Sequence, residues 1–143
     1  MDQPPQAARA PINRSRALAL LRRLAGPIWL RTGLTAVLEV RGRRTGQPVN
    51  VTLYPIDVDG TSYLLSQYGV SNWVRNLRAA GRGELRRKGR SQAFTAVEVD
   101  DAERNRVHAA FQAKVPKPAR RDSDQLPAAA DHPVFRMDPI PPA

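Results

Sequence analysis

The chain has 143 residues, enough for one domain with a modest core, and carries 23 lysines and arginines against 13 acids, a net charge of +10. It holds no cysteine and only two histidines, His108 and His132, so disulfides, thiol nucleophiles and thiolate metal sites are excluded and no histidine-rich metal site is expected. No apolar run approaches the ~20 residues that span a bilayer. The N-terminus lacks the basic-then-apolar order of a secretory signal, so a cytoplasmic protein is the expectation.

Taken in chain order, the proline-rich residues 1–13 read as a disordered segment, and residues 14–143 as a single domain. "RSRALALLRRLAG" places Leu18, Leu21 and Ala25 at helical spacing, with Gly26-Pro27 as the stop. This basic amphipathic helix either packs by its leucine face or makes peripheral contact with an anionic membrane surface. "LTAVLEVRG" (34–42) reads as a strand. After a turn, "VNVTLYPIDV" (49–58) alternates Val49, Val51 and Leu53 with Asn50, Thr52 and Tyr54, the period of a half-buried strand. An Asp-Gly turn leads to a third strand, "TSYLLSQYG" (61–69).

"SNWVRNLRAAG" (71–81) switches to helical spacing, with Ser71 or Asn72 as the cap and Gly81 as the end. Residues 83–99 read as two strands around a Lys88-Gly89 turn, and 100–115 as a helix with acids first and bases last, as the helix dipole prefers. Its stripe is Val107, Ala110 and Phe111, with His108 expected on the surface. A loop-rich tail (116–131) precedes a final strand near 132–138. Helices inserted among short antiparallel strands predict the α+β class: a small six-stranded antiparallel split β-barrel.

The charge is concentrated in the middle of the chain. Between residues 40 and 97 stand ten basic residues and three acids, which favours an anionic partner: nucleic acid, phospholipid, or a phosphorylated or polycarboxylated small molecule. The plain alternative is a solvated, arginine-biased surface. Arg41, Arg43 and Arg44 crowd one hairpin turn, "VRGRRTGQPVNVTLY" (40–54). A turn needs glycine; it does not need three arginines.

"GRRTGQPVNVTLY" followed by "SNWVRNLRAAG" resembles the deazaflavin (coenzyme F420)-dependent nitroreductase family, split β-barrel proteins related to the flavin-binding barrels. A Gly-Arg-(Arg/Lys)-(Ser/Thr)-Gly turn and a Trp-x-x-Asn-Leu helix about 25 to 30 residues later carry the resemblance, which covers roughly residues 17 to 115. Family members often continue the turn with Pro-Arg and then Pro-Leu, where this chain has Val49 and Thr52-Leu53.

The resemblance implies a site for reduced coenzyme F420, whose phosphodiester suits guanidinium forks and backbone N–H groups at Arg43, Arg44, Thr45 and Gly46. Its oligoglutamate tail suits a basic track through Arg75, Arg78 and the 86–90 cluster. Asn50 and Thr52, on the polar face of their strand, point to ligand or to solvent. Ser66 and Gln67 are placed to hold the ring edge, Asn72 and Asn76 to bond ring or ribityl oxygens, and Trp73 to cover the ring or fill the core. Tyr68 is the candidate catalytic donor to substrate, with a structural tyrosine as the alternative.

The implied activity is an F420H2-dependent reductase of the nitroreductase or quinone reductase type, passing hydride to a quinone, nitroaromatic or activated enone. No metal is needed. The alternatives are an FMN-binding split-barrel reductase, a carrier that holds deazaflavin without turnover, and a basic barrel that binds nucleic acid. Three Tyr, two Trp and three Phe leave few aromatics for base stacking, which argues against the last. Monomer and homodimer are both open.

Overall fold

The computed structural model describes residues 35–141; the expected N-terminal helix and the segment 1–13 lie outside them. Among the described residues are seven strands and two α-helices. The strands are β1 (Ala36–Arg41), β2 (Pro48–Leu53), β3 (Ile56–Val58), β4 (Thr61–Leu65), β5 (Arg82–Arg87), β6 (Arg90–Glu98) and β7 (Val134–Pro139). The helices are α1 (Asn72–Ala80), between β4 and β5, and α2 (Asp101–Lys114), between β6 and the tail.

All the pairings are antiparallel, in the order β2-β1-β5-β6-β7-β4-β3, and the sheet curls into a half-barrel. The α+β expectation holds, but the strand count is seven and not six. The single strand expected over 49–58 divides at Tyr54-Pro55 into β2, which pairs with β1, and β3, which pairs with β4. Proline has no N–H to give a ladder, so the chain leaves one edge of the sheet there and joins the other. The last strand is not peripheral: β7 lies between β6 and β4. Three short 3-10 turns, Lys117–Arg120, Ser123–Gln125 and Ala129–Asp131, fill the tail before it.

Two apolar clusters hold the layers together. On the inner face, Leu38, Val40, Leu53, Leu64, Leu85, Phe94, Phe135 and Met137 enclose Val74 and Leu77 of α1. On the other face of β3 and β4, Ile56, Tyr63 and Leu65 pack on Val107, Phe111 and Val115 from α2 and its cap. Both faces of β4 are therefore buried, which is why Tyr63, Leu64 and Leu65 read as a continuous apolar run rather than an alternating one. Asp100 caps α2 by accepting from the Glu103 N–H at 2.9 Å.

Candidate functional site

The arginine turn joins β1 to β2. Its frame closes on itself: the Gly42 N–H donates to Gln47 O at 2.8 Å and the Gly46 N–H to Gly42 O at 2.9 Å. Gly46 has φ +73°, where a side chain is strained, and a Cβ on Gly42 would lie 3.1 Å from Gln47 O and 3.2 Å from Thr45 Oγ1. Thr45 shapes the turn, its Oγ1 accepting from the Gln47 N–H at 3.2 Å. Arg41 Nη1 braces it by donating to Gly46 O at 3.2 Å.

Helix α1 holds this turn through one side chain. Asn76, buried at 4% exposure, uses Oδ1 to accept both the Arg43 N–H (3.1 Å) and Arg43 Nη1 (2.8 Å). Two residues expected to bind ligand thus bind each other. Because the Gly46 N–H is spent inside the turn, the N–H groups of Arg44 and Thr45 are the ones without a partner among the described residues. Arg44 itself is exposed and makes no ion pair there. An exposed guanidinium next to two N–H groups without partners is a donor set whose chemistry suits an oxyanion.

One turn back along α1, about 6 Å at 1.5 Å per residue, stands the loop 66–71. Asn72 is exposed on the same side of the helix as Asn76, four residues on. Trp73 is half-buried: its ring meets Phe135 at 6.0 Å, tilted 54°, and packs on the inner core. Tyr68 is 66% exposed and its hydroxyl donates to Asp122 Oδ2 at 2.5 Å. That bond, with a smaller contribution from burial, raises the phenol above its ordinary pKa, so it stays a proton donor.

Ser66 takes a different part from the one expected. It is 1% exposed, its Oγ donates to Gly69 O at 2.5 Å and its N–H to Pro133 O at 2.9 Å. Its carbonyl meets His132 Nδ1 at 2.7 Å, so every polar group of Ser66 is engaged by the protein. Gln67 is half-buried beside it. Asn50 and Thr52 are exposed on the outward face of β2, in register with Glu39 and Val37 of β1. A carboxylate opposite Asn50 makes that position a poor one for an anion.

The basic track is not assembled. Arg78 is held by Glu98 through two bonds, Nε to Oε1 at 2.8 Å and Nη2 to Oε2 at 2.7 Å, which raise its pKa further. The 86–90 cluster lies at the opposite end of the sheet: Arg82 starts β5 beside α1, and Arg87 is five residues on, about 17 Å at 3.4 Å per residue. Only Arg75, exposed on α1 next to Asn76, remains near the turn.

Sequence reading missed two things. His108 is buried at 6% exposure, not on the surface, and stacks on His132 with ring centroids 4.9 Å apart. Asp122, the partner of Tyr68, comes from the tail, 54 residues away. No local pattern marks either contact, since both depend on where the tail returns. Among the described residues no group of three or more His, Asp or Glu could hold a metal ion. No described helix is long and apolar enough to cross a membrane.

A curled antiparallel sheet with a helix set into its inner face defines a split-barrel fold of the α+β class. The chain belongs to the F420H(2)-dependent quinone reductase family, whose model matches residues 16–130. No curated protein matches the sequence. Among solved structures, a protein of unknown function from Agrobacterium tumefaciens is 21% identical, with a TM-score of 0.60 over 76% of this chain and 49% of that one. This chain thus spans about half the length of the Agrobacterium protein. An F420-H2 dependent reductase is 18% identical, with a TM-score of 0.56 over 73% of this chain and 94% of that one. A heme storage protein from Vibrio cholerae is 17% identical, with a TM-score of 0.57, covering 79% and 87%. At these identities the likeness is one of fold.

Proposed function

We propose that the protein binds reduced coenzyme F420 along α1 and is an oxidoreductase that reduces an electron-poor acceptor, a quinone before a nitroaromatic or an activated enone. The observation that carries the reading is the Arg43–Asn76 clamp. It fixes the arginine turn against the helix that bears Trp73, so an anion-binding group and a ring-covering group are held in one rigid unit. Family membership supports the same cofactor.

The residues fit the group in part. Arg44, with the Arg44 and Thr45 N–H groups, suits a phosphodiester, and Arg75 suits a carboxylate tail. Arg43 and Asn76 hold the turn in place, while Thr45 and Gly46 give it its shape. Exposed Asn72 and half-buried Trp73 are the groups assigned to contact the ring system. Ser66 serves through its buried frame, which positions Gln67 and Tyr68. The bound deazaflavin supplies hydride chemistry, so the chain itself needs no nucleophile. Its own tasks are to orient the reactants, exclude water and hold a proton at the Tyr68 hydroxyl. Tyr68 is the group placed to donate a hydrogen bond to an acceptor oxygen once it turns from Asp122, and Asp122 keeps that proton on it in the meantime.

The heme of the Vibrio protein is not carried over, because both histidines of this chain are buried against each other and against backbone. FMN shares the phosphate and ring chemistry and is the competing ligand. Fluorescence titration with oxidised F420 and with FMN separates the two. The expected result is F420 binding that weakens tenfold or more in Arg44→Ala, with FMN bound more weakly. FMN bound more tightly than F420, or F420 binding indifferent to Arg44, overturns the reading.

A further inference from the structure

The inner face of the half-barrel carries a second basic region at the end farthest from the arginine turn. Along β5 and β6, Gly83 pairs with Phe94, Leu85 with Gln92, and Arg87 with Arg90. Leu85 and Phe94 are core residues of the inner face, so by the two-residue period of a strand Arg87 and Arg90 continue that same face. Two arginines therefore stand directly opposite each other where the pattern calls for apolar side chains, an arrangement that costs stability unless something relieves it. The turn between them adds Lys88 (φ 56°) and Gly89 (φ 74°), the left-handed pair of a tight two-residue hairpin.

The space in front of them is a cleft of about 920 Å³, comparable with a small-molecule site. Its lining includes the apolar Leu85, Met137 and Pro139 and the basic Arg87, Lys88, Arg90 and Arg136. Two of these arginines are already engaged: Arg87 by Asp57 Oδ1 and Oδ2 at 3.3 Å each, and Arg136 by Asp138 at 2.9 Å. Lys88 and Arg90 are exposed and make no ion pair among the described residues. Asp57 and Asp138 offset two of the four positive charges, so the lining retains two.

We infer that this cleft is a second ligand site, separate from the cofactor cradle, for an organic dianion: an apolar body on Leu85, Met137 and Pro139, and a phosphate monoester or paired carboxylates on Lys88 and Arg90. Charge and shape select the class. A bare inorganic anion fills little of a cleft of about 920 Å³, and a neutral apolar molecule leaves Lys88 and Arg90 without a counter-charge. The separation of about 17 Å along β5 makes its occupation independent of the arginine turn.

The test is an amide chemical-shift titration of the whole, isotope-labelled protein with phenyl phosphate, repeated with inorganic phosphate and in the presence of saturating F420. Shifts confined to the neighbourhood of Leu85, Lys88–Arg90 and Met137 are expected. Phenyl phosphate should bind at least fivefold more tightly than phosphate, and R90A and K88A should each weaken it about tenfold, with R44A binding as wild type. R90K keeps the charge and retains most of the affinity, which guards against a fold defect in R90A. Equal affinity for the two anions, shifts spread over all exposed arginines, or wild-type binding by R90A overturns the site. Displacement of phenyl phosphate by F420 overturns its independence. F420 failing to bind at all while phenyl phosphate still fills the cleft sinks the cofactor reading and leaves this one standing.

Discussion

Asn76 carries more consequence than its size suggests. Its amide oxygen accepts from both the backbone and the guanidinium of Arg43, and it is buried while doing so. Replacing it with alanine leaves the Arg43 N–H and guanidinium without that acceptor, a loss of about 1–3 kcal/mol. Asn76→Ala should therefore lower F420 affinity by roughly tenfold, by misplacing the turn and not by removing a ligand contact. Asn76→Asp, which keeps the acceptor, should retain the clamp; the comparison is read from F420 titrations of the two variants and wild type.

His108 is the second residue with a measurable consequence. Burial lowers its pKa first, the nearby His132 lowers it further and Arg104 adds to this, while Asp124 works in the opposite direction. The unfolded chain then holds a proton on this residue at pH values where the folded chain does not, so stability rises with pH across that range. Unfolding midpoints in urea should fall as the pH drops through the ordinary histidine range, from about 7 toward 5. His108→Leu should flatten the fall; an unchanged slope in that variant contradicts the assignment.

At the scale of elements, α2 and α1 are attached by different chemistry. Helix α2 is held on β3 and β4 through Val107, Phe111 and Val115, with its N-terminus tied down by Asp100. Phe111 is fully buried, and its replacement by alanine should cost about 3–5 kcal/mol, seen as a lower urea midpoint with an unchanged slope. Helix α1 has an apolar side, Val74 and Leu77, but its position relative to the arginine turn is set by a polar contact. A stable fold with a displaced turn is thus accessible by mutation, and Phe111→Ala and Asn76→Ala should separate stability from binding.

The loop 66–71 is a third kind of element, a frame made by contacts with the tail. His132 lies between Ser66 O (2.7 Å) and Leu126 O (2.5 Å) and so ties the loop to the tail. Tyr68 is tied to Asp122 beside it. Asp122→Ala removes the hydrogen bond that is the main cause of the raised Tyr68 pKa, together with the smaller effect of the charge. The phenol should then titrate at lower pH by ultraviolet absorbance, while Tyr68→Phe should lower turnover with little change in F420 affinity if the hydroxyl serves the acceptor.

For the whole molecule, charge and topology combine. A net charge of +10 predicts that any anionic ligand binds more weakly as salt rises. The topology divides that charge between two ends of one sheet, so the salt dependence of F420 and of phenyl phosphate should differ in which arginines it reports. The seven-strand order also places β7, drawn from near the C-terminus, between β6 and β4. The tail therefore cannot be removed as an appendage: a chain ending at residue 115 loses a central strand and should not fold cooperatively.

The sequence by itself determined the class of fold, most element boundaries and the arginine turn as the place to look. Those follow from local physics: period two in β1 and β2, the left-handed Lys88-Gly89 pair, the Asp100 cap, and glycines at 42 and 46. Only the tertiary structure decided that Pro55 divides a strand between two sheet edges, that Arg43 is spent on Asn76, and that the 86–90 cluster faces away from the turn. The clamp joins residues 33 positions apart and the other two follow from the strand order of the whole sheet, where hydrophobic alternation specifies a face but neither a neighbour nor a direction along the strand. A charge count locates an anion site in the chain; only strand order and register tell one site from two.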